Sequence, residues 1–250
     1  MTIRVSTWAA ALGLAGSLAW QGSAEAGVIR VSEAAFTPAA GLITFSEKPI
    51  GTLNPIYSPG DYGGGAGAPT VSFEGYFLGQ SLGGGCGGAP SGCVTGLPSN
   101  PLALDPSAPN TFITQDGANP TSPVLSGSPL FNGPIAILFS TDQYGVGLDG
   151  GYFDALGGTA ITAFARDGSV LGSVANVGLG IEFLGLVTDN GSASIAGLLF
   201  SLVGPEPAGF AIDNLRFGVG GQVINPTPEP VSLALFAAGL MGFRVARRRA

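Results

Sequence analysis

Between residues 42 and 217, short runs rich in β-branched and aromatic residues recur, separated by clusters of Gly, Pro, Asn or Asp. The runs are Leu42–Phe45, Thr70–Leu78, Ile135–Phe139, Thr159–Arg166, Ser169–Ala175, Gly180–Val187, Ile195–Leu202 and Phe210–Phe217. None sustains a 3.6-residue apolar period, so they predict strands rather than helices. Asp167-Gly168 supplies the positive φ angles of a type I′ turn, which predicts a tight hairpin between Thr159–Arg166 and Ser169–Ala175. The last run places Phe210 and Ile212 on one parity and Leu215 and Phe217 on the other. A bulge at Asp213-Asn214 returns all four to one buried face and re-aims Asp213. Residues 54–134 differ, with stretches such as Gly63-Gly64-Gly65 and Asn119-Pro120-Thr121-Ser122-Pro123 that read as extended loops around a few strands. No repeat of fixed period occurs, which disfavours solenoids. The pattern therefore predicts an all-β fold, a two-sheet β-sandwich of jelly-roll type.

Both ends of the chain break this pattern. Arg4 precedes an apolar run from Val5 to Trp20, and Ala24-Glu25-Ala26 follows it. A short positive flank, a hydrophobic helix and a small-x-small site are the parts that signal peptidase reads, which places cleavage before Gly27. With no paired arginine ahead of the run, the general secretory route is favoured. At the other end, Pro226-Thr227-Pro228-Glu229-Pro230 leads into thirteen uncharged residues, Val231 to Phe243, and then Arg244, Arg247, Arg248 and Arg249. Thirteen helical residues cover roughly 20 Å of a hydrocarbon core roughly 30 Å thick. Extending the helix to Ala246 lets Arg244 snorkel, and the positive-inside rule puts the terminal arginines on the cytoplasmic side. The chain thus divides into a signal peptide (1–26), an extracellular domain (27–225) and a tail with a short transmembrane helix (226–250).

The ordered set of Pro228-Glu229-Pro230, a short Leu/Ala/Gly/Phe helix containing Ala238-Gly239-Leu240, and Arg247-Arg248-Arg249 resembles the PEP-CTERM sorting signal of Gram-negative bacteria. The resemblance covers about the last tenth of the chain. It implies recognition by a membrane-embedded exosortase that cuts near the Pro-Glu-Pro motif, in species that make exopolysaccharide. The protein is then transiently held in the inner membrane, with its C-terminus cytoplasmic, before reaching the cell surface or extracellular matrix. Gly147-Leu148-Asp149-Gly150-Gly151-Tyr152-Phe153, Ala160–Phe164 running into Asp167-Gly168, Gly180-Ile181-Glu182-Phe183 and Gly209–Leu215 also resemble, in this order, the extracellular domains that accompany this signal. Such domains are similar to carbohydrate-binding jelly rolls, and the likeness bears on fold more than on activity.

Composition narrows the function classes. The whole chain carries nine cations and sixteen carboxylates, but the segment 27–225 holds only Arg30, Lys48, Arg166 and Arg216 against fourteen carboxylates, a formal charge of −10. This leaves no electrostatic footprint for nucleic acid. The chain has no histidine, which removes the usual zinc sites and Ser-His-Asp triads. Both tryptophans lie in the leader, and sugar platforms draw on exposed aromatics. Of the five tyrosines, Tyr62 and Tyr152 are the candidates for a glycan contact.

Several motifs carry little. Gly145-Val146-Gly147-Leu148-Asp149-Gly150 matches a dinucleotide fingerprint, but no helix follows it. Gly79-Gln80-Ser81-Leu82-Gly83 matches a nucleophile elbow with no histidine to serve Ser81. Cys86 and Cys93 flank a six-residue glycine-rich loop, and in an exported protein they read as a disulfide, with free thiols or mixed disulfides the alternative. Asp142, Asp149, Asp154 and Asp213 are the best candidates for chemistry. The functional reading is a structural calcium site at Asp213 with Asp149, since hard oxygen ligands suit that ion. The plainer reading, and the favoured one, has Asp213 accepting backbone hydrogen bonds at the bulge while the others serve turns. Glycosidase chemistry needs only two carboxylates, and Glu47, Glu74 and Glu182 lie on or beside predicted strands, but nothing in the sequence pairs them. The expectation is a non-enzymatic exported surface or matrix protein, with a carbohydrate-binding module as the alternative.

Overall fold

The computed structural model describes residues 27–84 and 93–224. Ala24, Ala26, Cys86, the Pro228-Glu229-Pro230 motif, Arg247, Arg248, Arg249 and both expected terminal helices lie outside these residues. Among the described residues no helix is long and apolar enough to cross a membrane.

Fifteen strands follow one another among the described residues: β1 (Val28–Val31), β2 (Gly41–Ile43), β3 (Ile56–Tyr57), β4 (Val71–Glu74), β5 (Ser81–Leu82), β6 (Val94–Thr95), β7 (Phe112–Asp116), β8 (Asn119–Ser126), β9 (Ile135–Gln143), β10 (Gly145–Phe153), β11 (Thr159–Phe164), β12 (Val170–Ala175), β13 (Gly180–Thr188), β14 (Ile195–Leu202) and β15 (Ala211–Gly218). They form two antiparallel sheets packed as a sandwich. One has the order β1-β13-β10-β15-β8-β7, with β2 also paired to β15, and the other the order β12-β11-β14-β9-β4-β3. A separate two-stranded ribbon joins β5 and β6.

The core lies between the inner faces. Val146, Leu148, Leu184, Leu186, Ile212 and Phe217 from the first sheet meet Phe73, Ile137, Phe139, Ile161, Leu198 and Phe200 from the second. Each large side chain buried here contributes roughly 1.5–3 kcal/mol. Strand β14 is buried at every position, because its outer face is covered as well. There Phe77 and Leu102 from the Gly/Pro-rich segment pack with Phe164, Ala196 and Leu199.

That segment is more ordered in its pairing than its composition suggests. Residues 54–134 contain six short strands, and β7 with β8 forms the edge of the first sheet. Pro120 and Pro123 cannot donate to a ladder, which hid β8 from a strand reading. The cost is limited because β8 meets β15 through a single pair, Ile212 with Leu125. The Gln115 side chain also donates to the carbonyls of Asn119, Pro120 and Ser122.

The predicted hairpin exists between β11 and β12, but its turn is not type I′. Of the two turn residues only Gly168 has positive φ, at 85°, and its N–H donates to Ala165 O at 3.0 Å. The Asp167 carboxylate accepts from Ser169 N–H and Oγ at 2.9 and 2.7 Å. That Asx-type bond keeps Asp167 out of the left-handed region and moves the turn to a three-residue loop closed by Gly168.

Candidate functional site

The site is built where β10 and β15 run side by side. Leu148 and Ile212 point into the core, so their successors Asp149 and Asp213 point outward from the first sheet. The antiparallel register sets these two carboxylates directly opposite each other, where Cβ atoms stand about 5 Å apart. The register then slips by one residue, Gly147 pairing with Arg216, and Asn214 takes up the surplus at φ 48°. This is the predicted bulge, and Phe210, Ile212, Leu215 and Phe217 all join one core as a result.

Amide groups satisfy the pair. Asn214 N–H donates to Asp213 Oδ1 at 2.7 Å and Asn214 Nδ2 to Asp149 Oδ2 at 2.8 Å. Asn119 Nδ2, reaching across from β8, donates to Asp213 Oδ2 at 2.9 Å. Asp213 is only 5% exposed. Burial pushes its carboxyl above the usual Asp range against the pull of the Asn214, Ser122 and Asn119 hydrogen bonds, and the Asp149 charge adds to the rise. Burial likewise pushes Asp149 up, opposed by the Asn214 amide, with Glu33 raising it and Arg216 lowering it.

A cleft of about 350 Å³ opens over the pair. Its walls carry Thr44, Asp116, Thr121 and Ser122, while Gly150 and Gly151 leave its floor without side chains. The floor requires them. A Cβ on Gly150 would stand 2.8 Å from the Phe153 ring, and one on Gly151 would stand 2.9 Å from Gly180 O. The lining combines hydroxyl, amide and carboxylate groups with the apolar residues Val124, Ile181 and Ile212, a mixture that a polyhydroxylated ligand with apolar ring faces could meet.

Calcium takes six to eight oxygen ligands. No group of three or more His, Cys, Asp or Glu able to hold a metal occurs among the described residues. The carboxylates of Asp149 and Asp213 face N–H donors, which satisfy them without a cation. Asp213 accepts one backbone N–H at the bulge, from Asn214, whereas Asp142 and Asp149 lie inside β9 and β10 rather than in turns.

The remaining expected residues do not line the cleft. Asp142 pairs with Arg166 at 2.6 Å, and the Asp154 N–H donates to Glu206. Tyr62 packs edge-on to Phe217 at 5.2 Å, its hydroxyl donates to Pro69 O, and burial pushes its phenol up to about 12. Tyr152 is half exposed at the far end of β10, so the two tyrosines do not form one platform. Glu47 is held by the N–H and hydroxyl of Thr44. Glu182 accepts from Val177, Gly178 and Arg30, and Glu74 lies on the other sheet. Gly145–Gly150 sits inside strand β10, where a Cβ on Gly147 would come within 2.3 Å of the Phe183 ring. Cys93 has no free thiol, and Cys86 lies outside the described residues.

The sequence reading missed Asn119 and the buried Glu206, whose carboxylate accepts from the N–H groups of Asp154, Ala155 and Ala208. Nothing in their local sequence marks either one. Asn214 was legible as part of the bulge, though its bridge between two carboxylates was not. No family model, curated protein or solved structure matches the chain.

Proposed function

We propose that this protein is a non-enzymatic component of the bacterial surface or exopolysaccharide matrix, exported through its leader and sorted by an exosortase acting on its PEP-CTERM-like tail. The domain is a sandwich of jelly-roll type. In support, β8 to β15 switch sheet at every step except the β11–β12 hairpin, so that β8-β15-β10-β13 and β9-β14-β11-β12 are neighbours, the order of a double Greek key.

The observation that carries the reading is where the ends of the domain leave it. Gly27 bonds Asp189 beyond the end of β13, and Val223 packs with Tyr144 and Val187 beside the turn from β9 to β10. Both ends therefore leave from one pole of the sandwich. The cleft lies about 15 Å further along β10, so a C-terminal anchor would present it away from the membrane. The test is mass spectrometry of the surface form. Its C-terminus is expected near Pro228 to Pro230, and an intact Arg247–Arg249 tail would refute processing.

A second reading, a carbohydrate-binding module, is favoured by the polar lining of the cleft. Polysaccharide pull-down of the exported protein should then weaken in Thr121→Ala and Ser122→Ala and persist in Tyr62→Phe. No retention on any neutral or acidic polysaccharide would sink it.

A further inference from the structure

We infer that Asp189 is the docking site for the positive charge created on Gly27 when the leader is removed. The inference rests on cleavage before Gly27. Hydrolysis of the Ala26–Gly27 peptide bond adds one water, leaving a carboxylate on Ala26 and an amine on Gly27 that takes up a proton at neutral pH.

The geometry is already in place around that nitrogen. Gly27 N–H donates to Asp189 Oδ1 at 3.0 Å, and the Asp189 N–H donates back to Gly27 O at 3.0 Å. The position admits only glycine without adjustment, because a Cβ there would stand 2.7 Å from Asp189 Oδ2. Among the described residues the carboxylate also has no competing cation. Arg30, Lys48, Arg166 and Arg216 are the only cations between residues 27 and 225, and they pair with Glu182, Asp61, Asp142 and Glu33. An amide N–H at Gly27 offers the carboxylate one hydrogen bond from an uncharged donor. An ammonium offers three donors and a unit positive charge, which adds charge–charge attraction to the hydrogen bond.

The consequence falls on β1. This four-residue strand forms the outer edge of the first sheet and pairs with β13 from Val28 opposite Thr188. Gly27, the residue before β1, is already hydrogen-bonded to Asp189, and cleavage turns that contact into an ion pair, so maturation and tightening of the edge occur together.

The sign of the pH dependence follows. A nearby carboxylate raises the folded-state pKa of the α-amine, so the stabilisation is fully present below the ordinary α-amine value. It is lost as pH rises through the raised value.

The experiment uses the exported protein made from the full gene, in wild-type and Asp189→Asn forms, after its N-terminal residue has been read by mass spectrometry. The chain contains a single lysine, Lys48, so the α-amine is one of two amines and its acylation can be followed separately. At pH 8 the wild-type α-amine should acylate about threefold more slowly than that of Asp189→Asn. Transamination of the amine to a carbonyl should lower the melting temperature of the wild type and leave Asp189→Asn nearly unchanged. A Gly27 start with equal acylation rates overturns the ion pair alone. A start at another residue overturns both the pair and the cleavage reading.

Discussion

At the residue scale, the cleft owes its character to two like charges held face to face. Opposed like charges on neighbouring strands are destabilising, and the relief here comes from amide donors on Asn119 and Asn214, with Ser122 also lowering Asp213 and Arg216 lowering Asp149. Both carboxyls are pushed above the ordinary Asp value, so the native state holds more protons than the unfolded chain in the range just above that value. Stability therefore falls as pH rises through that range. Asp149→Asn removes one charge and keeps an acceptor for Asn214. It should stabilise the protein by about 0.5–1 kcal/mol at pH 7, with the advantage vanishing in acid below the ordinary Asp value. Urea midpoints measured across pH check this, and a pH-independent difference would contradict it. Because the carboxylates face N–H groups, added calcium should leave the melting temperature unchanged. A saturable rise with calcium would restore the metal reading.

At the element scale, local chemistry placed the strands well and their connections less well. All eight apolar runs became strands, because β-branched and aromatic residues bounded by turn formers have little alternative. Strand β10 was hidden by its glycines, which are present because Phe183, Val223 and Phe153 crowd the places where side chains would stand. The hairpin at Gly168 shows the same dependence on distant neighbours. A Cβ there would meet Ser99 O at 2.6 Å, whereas at Gly157, also at positive φ, nothing lies within 4 Å. Gly157→Ala should cost about 1 kcal/mol for backbone strain alone. Gly168→Ala should cost about 1–3 kcal/mol more, because the clash is with backbone that cannot swing aside. Chemical denaturation of the two variants decides it, and equal losses would show that the loop around Ser99 yields.

At the scale of the whole molecule, the Gly/Pro-rich segment acts as the cover of the second sheet. Phe77 lies fully buried against Phe164 at 5.4 Å, so Phe77→Ala should cost about 3–5 kcal/mol, a loss that calorimetry would register. A loop that merely decorated the surface would tolerate the change. The same scale relates Gly27 and Val223 to the cleft, since both lie at the pole of the sandwich away from it.

The sequence by itself determined the features that depend on near neighbours along the chain. These are the strand runs, the bulge that Phe210, Ile212, Leu215 and Phe217 require, and the acidity of the segment 27–225. Only the tertiary structure decided which residues meet. Asp149 and Asp213 are 64 positions apart in the chain, and they face each other because two antiparallel strands share one register. Asn119, whose surroundings read as loop, supplies their third amide donor. Gly27 meets Asp189 because β1 closes the edge of the first sheet. Alternation and turn chemistry act over a few residues, whereas register and sheet order are set by packing across the whole chain.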